Sequence, residues 1–131
     1  MEVYLDNAAT TKMDNRVFEE MIPYLKENYG NPSSAYKIGR DNKRTIEEAR
    51  RKVALYLNAN PNEIYFTSGG SESDNMALKG IALGNAEKGK HIITSTIEHP
   101  AILDTCKELE REGFEVSYVK VNKNGIVDLN D

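Results

Sequence analysis

Two stretches of the sequence lie between a predicted strand and a predicted helix, and both contain residue types that commonly bind ligands. The first, residues 67–75, reads TSGGSESDN and contains Gly69, Gly70 and Ser71. Glycines allow the backbone to approach a ligand closely, and the following helix start presents unpaired N–H groups and a positive dipole end. With the Ser71 hydroxyl as a further donor, this combination suits a phosphate monoester. The alternative is an ordinary glycine turn with Ser71 as N-cap and Asp74 in a capping box.

The second stretch, residues 96–100, places a histidine immediately before a proline. Pro100 suits the first turn of a helix, which leaves His99 at the junction between strand and helix. A histidine there can stack on a planar ring, act as an acid or base, or hydrogen-bond the backbone. The alternative is an ordinary surface histidine, which is how we interpret His91.

The chain has too few cysteines and histidines for a zinc site or a disulfide. The chain has two histidines and one cysteine, so the sequence predicts neither a protein-built zinc site nor an internal disulfide. Cys106 lies between Ile102 and Leu109 at helical spacing, which favours a buried packing residue over a nucleophile.

Both stretches, residues 67–75 and 96–100, lie in a sequence in which predicted helices alternate with short apolar runs. The sequence predicts a first helix that begins after the N-cap Asp14, is kinked or shortened at Pro23 and ends at Gly30. Further helices are predicted over residues 42–58, from about Ser71 to Ala86 and from Pro100 to Glu112. Strands are predicted over Ile64–Thr67, His91–Ser95 and Glu115–Val121. This alternation indicates parallel pairing and an α/β fold, in which ligands bind beyond the carboxyl ends of the strands.

Composition limits the class of protein. The 131 residues carry 17 Lys and Arg against 21 Asp and Glu, a net charge of −4, with 39% hydrophobic and 29% charged residues. These values predict one ordinary domain and argue against disorder and membrane spanning. The sequence has no run of Lys and Arg suited to nucleic acid, and its first residues lack the features of a signal peptide. We therefore expect a soluble, cytoplasmic protein.

Four motifs together resemble one known family. They are YLDNAATT at residues 4–11, NPSS at 31–34, TSGGSESDN at 67–75 and EHPAIL at 98–103. In this order and spacing, the chain resembles the N-terminal third of the NifS/IscS-type cysteine desulfurases, in the class V aminotransferase family, from Val3 to Leu129. The resemblance implies an aspartate-aminotransferase-like fold (PLP fold type I). It also implies an N-terminal arm at residues 1–15 and an incomplete large pyridoxal-phosphate (PLP) domain at residues 16–131.

The resemblance implies roles for individual residues. Gly70 and Ser71 match the Ala-Thr pair that holds the cofactor phosphate, and the replacement is conservative because backbone donors bind the phosphate. His99 matches the histidine that stacks on the pyridine ring and takes part in proton transfers.

Another set of residues matches the substrate side of the family's pocket. Asn7, Ala8 and Thr10 belong to this set. Tyr36 stands where many members carry histidine, so no role is carried over to it. The resemblance places the cofactor-linking lysine, the aspartate that pairs with the pyridine nitrogen and the sulfur-accepting cysteine further along than Asp131. It also implies that later strands separate the strand at Ile64–Thr67 from the strand at His91–Ser95.

The activity implied is removal of sulfur from L-cysteine, giving alanine and a persulfide for iron–sulfur clusters or thiolated nucleotides. The partners implied are a second copy of the enzyme and a sulfur acceptor or iron–sulfur scaffold protein. The alternatives are a selenocysteine lyase, another class V aminotransferase, or a truncated chain without catalysis.

Overall fold

The computed structural model of the chain describes residues 1–128. Leu129, where the family resemblance ends, lies outside the described residues. The chain forms two compact units, Met1–Tyr65 and Phe66–Asp131. In each unit, local sequence features such as helix caps, prolines and glycines determine many of the element ends.

The first unit begins with helix α1, Asn15–Lys26. As predicted, Asp14 is the N-cap, and its Oδ1 accepts a hydrogen bond from the Arg16 backbone N–H at 2.8 Å. The helix continues one turn past Pro23 and ends before Gly30, so the predicted end at Gly30 is wrong. It ends where the Pro23 carbonyl accepts from both Glu27 N (2.9 Å) and Asn28 N (2.8 Å), a pattern that closes the last turn.

Helix α2 spans Lys37–Leu57 and is followed by a 3₁₀ turn at Pro61–Glu63. The helix starts five residues before the predicted residue 42, and it therefore includes Gly39. A Cβ atom on Gly39 would lie 2.5 Å from the Asn31 carbonyl oxygen and 2.7 Å from that of Ser34. The glycine is therefore needed for the close approach of the Asn31–Ser34 loop to the helix.

The predicted strand at Ile64–Thr67 is not formed within residues 1–128. Ile64 has extended backbone angles (φ −100°, ψ 125°), as its β-branched side chain favours. A strand also requires a hydrogen-bonded neighbour, and the sheet of the described chain contains two other strands only.

The second unit contains a parallel strand–helix–strand arrangement, as predicted. Strand β1 (His91–Ser95) pairs with β2 (Glu115–Val119) from His91 opposite Glu115 to Ser95 opposite Val119. Helix α3 (Gly70–Gly84) precedes β1, and helix α4 (Pro100–Arg111) connects the two strands.

The predicted ends of α3 and β2 were each two residues too late. Strand β2 ends at Val119 because Val121 forms an antiparallel bridge with Val127, which turns the chain back. Gly125 in this turn has φ +77°, a conformation that favours glycine.

Helix α4 supplies the core of the second unit. Cys106 and Leu109 are fully buried, Thr105 is 3% exposed and Phe114 is 6% exposed. The helix packs against α3 on one side and β2 on another. Among residues 1–128 no helix is both long and apolar enough to cross a membrane.

Candidate functional site

The start of α3 supplies donors for an anion. Gly69 is the N-cap, so Gly70 and Ser71 are the first two helical residues, whose N–H groups have no partner within the helix. Across residues 1–128 the exposed Ser71 hydroxyl also makes no hydrogen bond. A Cβ atom on Gly70 would meet no atom within 4 Å, so an alanine would fit there as well.

An acidic side chain in the first turn of α3 is already engaged. Glu72 Oε2 accepts hydrogen bonds from the Ser68 backbone N–H (2.7 Å) and the Ser68 hydroxyl (2.6 Å). These bonds hold the pKa of the Glu72 carboxyl below its ordinary value. The carboxylate thus closes the loop that precedes the helix and leaves the donors of Gly70 and Ser71 available.

The structure does not support the ordinary capping role considered for Ser71. Gly69, not Ser71, occupies the N-cap, and no side chain caps this helix start. Ser71 is therefore the second residue of α3, and its hydroxyl does not cap the helix.

His99 is the N-cap of α4, at the predicted junction. Its Nδ1 accepts a hydrogen bond from the Ala101 backbone N–H at 3.1 Å. A nitrogen that accepts carries no proton, so the neutral ring has its proton on Nε2. Of the three roles considered for His99, the backbone hydrogen bond is directly observed, and it orients the exposed ring.

Ser71 and His99 line the same open cavity, of about 340 Å³, in the second unit. Six other residues line it: Asn75, Pro100, Ala101, Asp104, Thr105 and Glu108. Two loops separated by more than twenty residues are therefore brought together by the packing of α3 against α4.

Sequence analysis missed the other polar residues of this cavity (Asn75, Asp104, Thr105 and Glu108), and two of them share a hydrogen bond. The Thr105 hydroxyl lies 2.8 Å from Asn75 Oδ1, and Asn75 Nδ2 donates to the Ser71 carbonyl at 2.9 Å. Two sequence features could have indicated this pair. Thr105 precedes the predicted core residue Cys106, and Asn75 follows Ser71 by one helical turn.

The residues expected on the substrate side belong to the first unit. Asn7, Ala8 and Thr10 are exposed and lie in a turn in which the Asp6 carbonyl accepts from Ala9 N (3.2 Å) and Thr10 N (3.4 Å). Tyr36, at the position where many family members have histidine, is the N-cap residue of α2. Their side chains are therefore accessible to a ligand from solvent.

Cys106 has the environment of a packing residue, as predicted. Its side chain is fully buried, and burial, together with the charges of Glu110 and Glu98, raises the pKa of the thiol. In the described part of the chain no three His, Cys, Asp or Glu side chains come together as metal ligands.

Comparison with known proteins identifies the family. The sequence profile of the class-V aminotransferases matches residues 3–131. The chain belongs to this family. It is 60% identical over 125 residues to the cysteine desulfurase IscS of Methanosarcina thermophila, covering 95% of this chain and 31% of that protein. With IscS of Dictyoglomus turgidum the identity is 54% over 130 residues, covering 99% of this chain and 33% of that protein.

Solved structures of class-V relatives have the same fold. A NifS-like protein superposes with a TM-score of 0.91 at 48% identity, covering 99% of this chain and 36% of its own. A cysteine desulfurase from Thermococcus onnurineus superposes with a TM-score of 0.80 at 28% identity, covering 98% and 32%. The predicted PLP type I α/β fold is confirmed, and the chain spans about a third of the length of the curated relatives it matches.

Proposed function

We propose that the protein containing this chain is a PLP-dependent cysteine desulfurase. It takes sulfur from L-cysteine: an enzyme thiol plus cysteine gives alanine plus an enzyme-bound persulfide. The observation that carries the proposal is that Ser71 and His99, at the starts of two packed helices, line one cavity. The high identity to curated cysteine desulfurases supports the same reaction.

The donors at the start of α3 fit the phosphate of PLP. The N–H groups of Gly70 and Ser71 and the Ser71 hydroxyl would hold it, and the Glu72 carboxylate is occupied by Ser68. Backbone N–H groups at a helix N-terminus suit a phosphate dianion in charge and direction. When bound, the cofactor supplies an electron sink for chemistry at the substrate carbon.

His99 would contact the cofactor ring and hold a proton. Because its Nδ1 accepts from Ala101 N, the face and edge of the ring are oriented before any ligand arrives. The Nε2–H group is then the part of the ring that can donate to a ligand at the site. Asn7, Ala8 and Thr10 would contribute to the substrate side of the pocket.

Further features of the whole enzyme follow from the same family resemblance. Residues 1–15 form an arm and residues 16–131 the first part of the large domain. The enzyme is a cytoplasmic homodimer that passes sulfur to an acceptor or an iron–sulfur scaffold protein. An exposed face of α1 fits an association of this kind, since it borders an open cavity of about 680 Å³. The cavity is lined by Val17, Met21, Tyr24 and Leu25 together with Asp14, Arg16 and Glu20.

The full-length protein tests the proposal. Purified with PLP and a reductant, it should show the visible absorption of bound cofactor and form alanine and sulfide from L-cysteine in equal amounts. Ser71→Ala should weaken PLP binding by roughly 1–3 kcal/mol, the scale of a hydrogen bond to a charged group. Parallel assays with L-selenocysteine, and with a 2-oxo acid as amino-group acceptor, distinguish the lyase and aminotransferase alternatives. Absence of alanine formation from L-cysteine would contradict the proposal.

A further inference from the structure

A buried hydroxyl lies between the two helices that carry the candidate site. Thr105 of α4 is 3% exposed, and among residues 66–128 it is the one buried residue with a polar side chain. Its hydroxyl is 2.8 Å from Asn75 Oδ1 on α3 and 2.7 Å from the Ala101 carbonyl oxygen on its own helix. The single hydroxyl proton is shared between these two acceptors, since both lie at hydrogen-bond distance.

The half-buried Asn75 extends this contact to the start of α3. Its Nδ2 donates to the Ser71 carbonyl at 2.9 Å. The amide orientation is determined by its neighbours, because the reverse orientation would place Oδ1 against the Ser71 carbonyl oxygen. Both ends of the Asn75 amide are thus used, one on each helix.

The hydrogen bonds therefore connect the first turns of the two helices. Ser71 is the second residue of α3, and Ala101 is the second residue of α4. The Ala101 N–H is the group capped by His99. One chain of contacts runs from the Ser71 carbonyl through Asn75 and Thr105 to the residue that orients His99.

We propose that Asn75 and Thr105 are positioning residues for the cofactor. Resting on the proposed function, the inference is that the Asn75–Thr105 pair fixes the spacing between the phosphate donors at Ser71 and the ring of His99. Phosphate and pyridine belong to one small, stiff molecule, so both groups bind well only if their spacing matches it. Fixing that spacing before binding reduces the ordering cost that the cofactor must overcome.

An ion pair also joins these helices, but it does not reach their starts. Lys79 Nζ lies 2.6 Å from Glu108 Oε2, about a turn further along each helix, and both side chains are partly exposed. This ion pair can hold α3 beside α4, but it touches neither Ser71 nor Ala101. The hydrogen bonds of Asn75 and of the buried Thr105 hydroxyl are thus suited to set the geometry at the site itself.

The test uses the full-length protein and measures PLP affinity, the visible circular dichroism of bound PLP and the melting temperature of the cofactor-free form. Thr105→Val removes the hydroxyl at nearly constant shape, and Thr105→Ser restores it. Thr45→Val is the matched control, because Thr45 donates to the Asp41 carbonyl at 3.2 Å within α2. Asn75→Ala is compared with Asn85→Ala, which removes a 2.9 Å bond to the Ile81 carbonyl at the far end of α3.

We expect Thr105→Val and Asn75→Ala each to raise the PLP dissociation constant about tenfold and to change the cofactor dichroism. In the double variant, the PLP dissociation constant should rise by less than the product of the two single increases, since both substitutions break the same contact. Thr105→Ser should recover the affinity, and both controls should retain it. If Thr105→Val does not fold, Asn75→Ala alone decides, because Asn75 is only half-buried.

Two results would overturn the inference in distinguishable ways. Wild-type PLP affinity and dichroism in Thr105→Val and Asn75→Ala, or an equal loss in the controls, would reject the positioning role and leave the proposed function intact. Failure of the wild-type full-length protein to bind PLP would reject both.

Discussion

His99 shows at the scale of a single residue how one side chain can have a structural and a chemical role. Its Nδ1 caps α4 through the Ala101 N–H, and its ring is the group proposed to contact the cofactor. Because Nδ1 accepts in this cap, the proton of the neutral ring lies on Nε2.

Two substitutions at His99 separate these roles. In the full-length protein, His99→Ala should lose both ring and cap, at a cost of about 0.5–2 kcal/mol in the free energy of unfolding. His99→Asn should keep the cap, since asparagine is a favoured N-cap residue, while still losing the ring. Both should bind the cofactor phosphate and lose turnover.

Denaturant unfolding and cofactor absorbance of the two variants provide the measurements. Equal unfolding free energies for His99→Ala and His99→Asn would show that the cap contributes nothing. Unchanged turnover in either variant would contradict the proposed role of the ring. The wild-type protein is the control in both assays.

At the scale of elements, α3 and α4 are held together by the core around Leu109 and by the ion pair between Lys79 and Glu108. The hydrogen bond and charge of Lys79 lower the pKa of the Glu108 carboxyl. A carboxyl with a lowered folded-state pKa stabilises the fold above its unfolded pKa. That contribution is lost as the pH falls through the folded-state value.

The Lys79–Glu108 pair predicts a pH-dependent melting temperature. In the full-length protein, Glu108→Gln should lower the melting temperature slightly at neutral pH, and the difference should vanish below the folded-state pKa of Glu108, which is lower than its ordinary value. High salt should reduce it as well, because the pair is partly exposed. Asp104→Asn, which breaks an ion pair to Lys107 within α4, is the matched control. A difference that persists in acid would contradict this assignment.

At the scale of the whole molecule, the described chain offers much apolar surface and a small sheet. Phe18, Tyr56 and Ile93 are among the large apolar side chains that are more than half exposed. Strands β1 and β2 form a sheet of two strands, and such a sheet is marginally stable without further strands or covering helices. Unpaired sheet edges also favour association with other chains.

We therefore predict that residues 1–131, prepared alone, are partly disordered or aggregated and have no desulfurase activity. None of the lysines in this stretch stands in the context of the family's cofactor-linking lysine. The measurements are amide hydrogen exchange and sulfide release with PLP, L-cysteine and a reductant. Strong cooperative protection across β1 and β2 in a monomer, or turnover above the cofactor background, would contradict the prediction.

The sequence by itself determined the features that depend on near neighbours in the chain. The Asp14 cap, the proline after His99 and the apolar runs of β1 and β2 were predicted at or near their observed positions. Caps, turns and strand preferences arise from contacts within a few residues, so they can be read from the sequence.

Only the tertiary structure decided the features that depend on distant residues. Position 39 needs a glycine because the Asn31–Ser34 loop approaches α2 there, and residues 64–67 form no strand within residues 1–128 because the observed sheet contains only β1 and β2. Likewise, a threonine and an asparagine thirty positions apart became one hydrogen-bonded pair only when α4 packed on α3. Packing partners are chosen by the whole fold, and no local pattern around either residue specifies them.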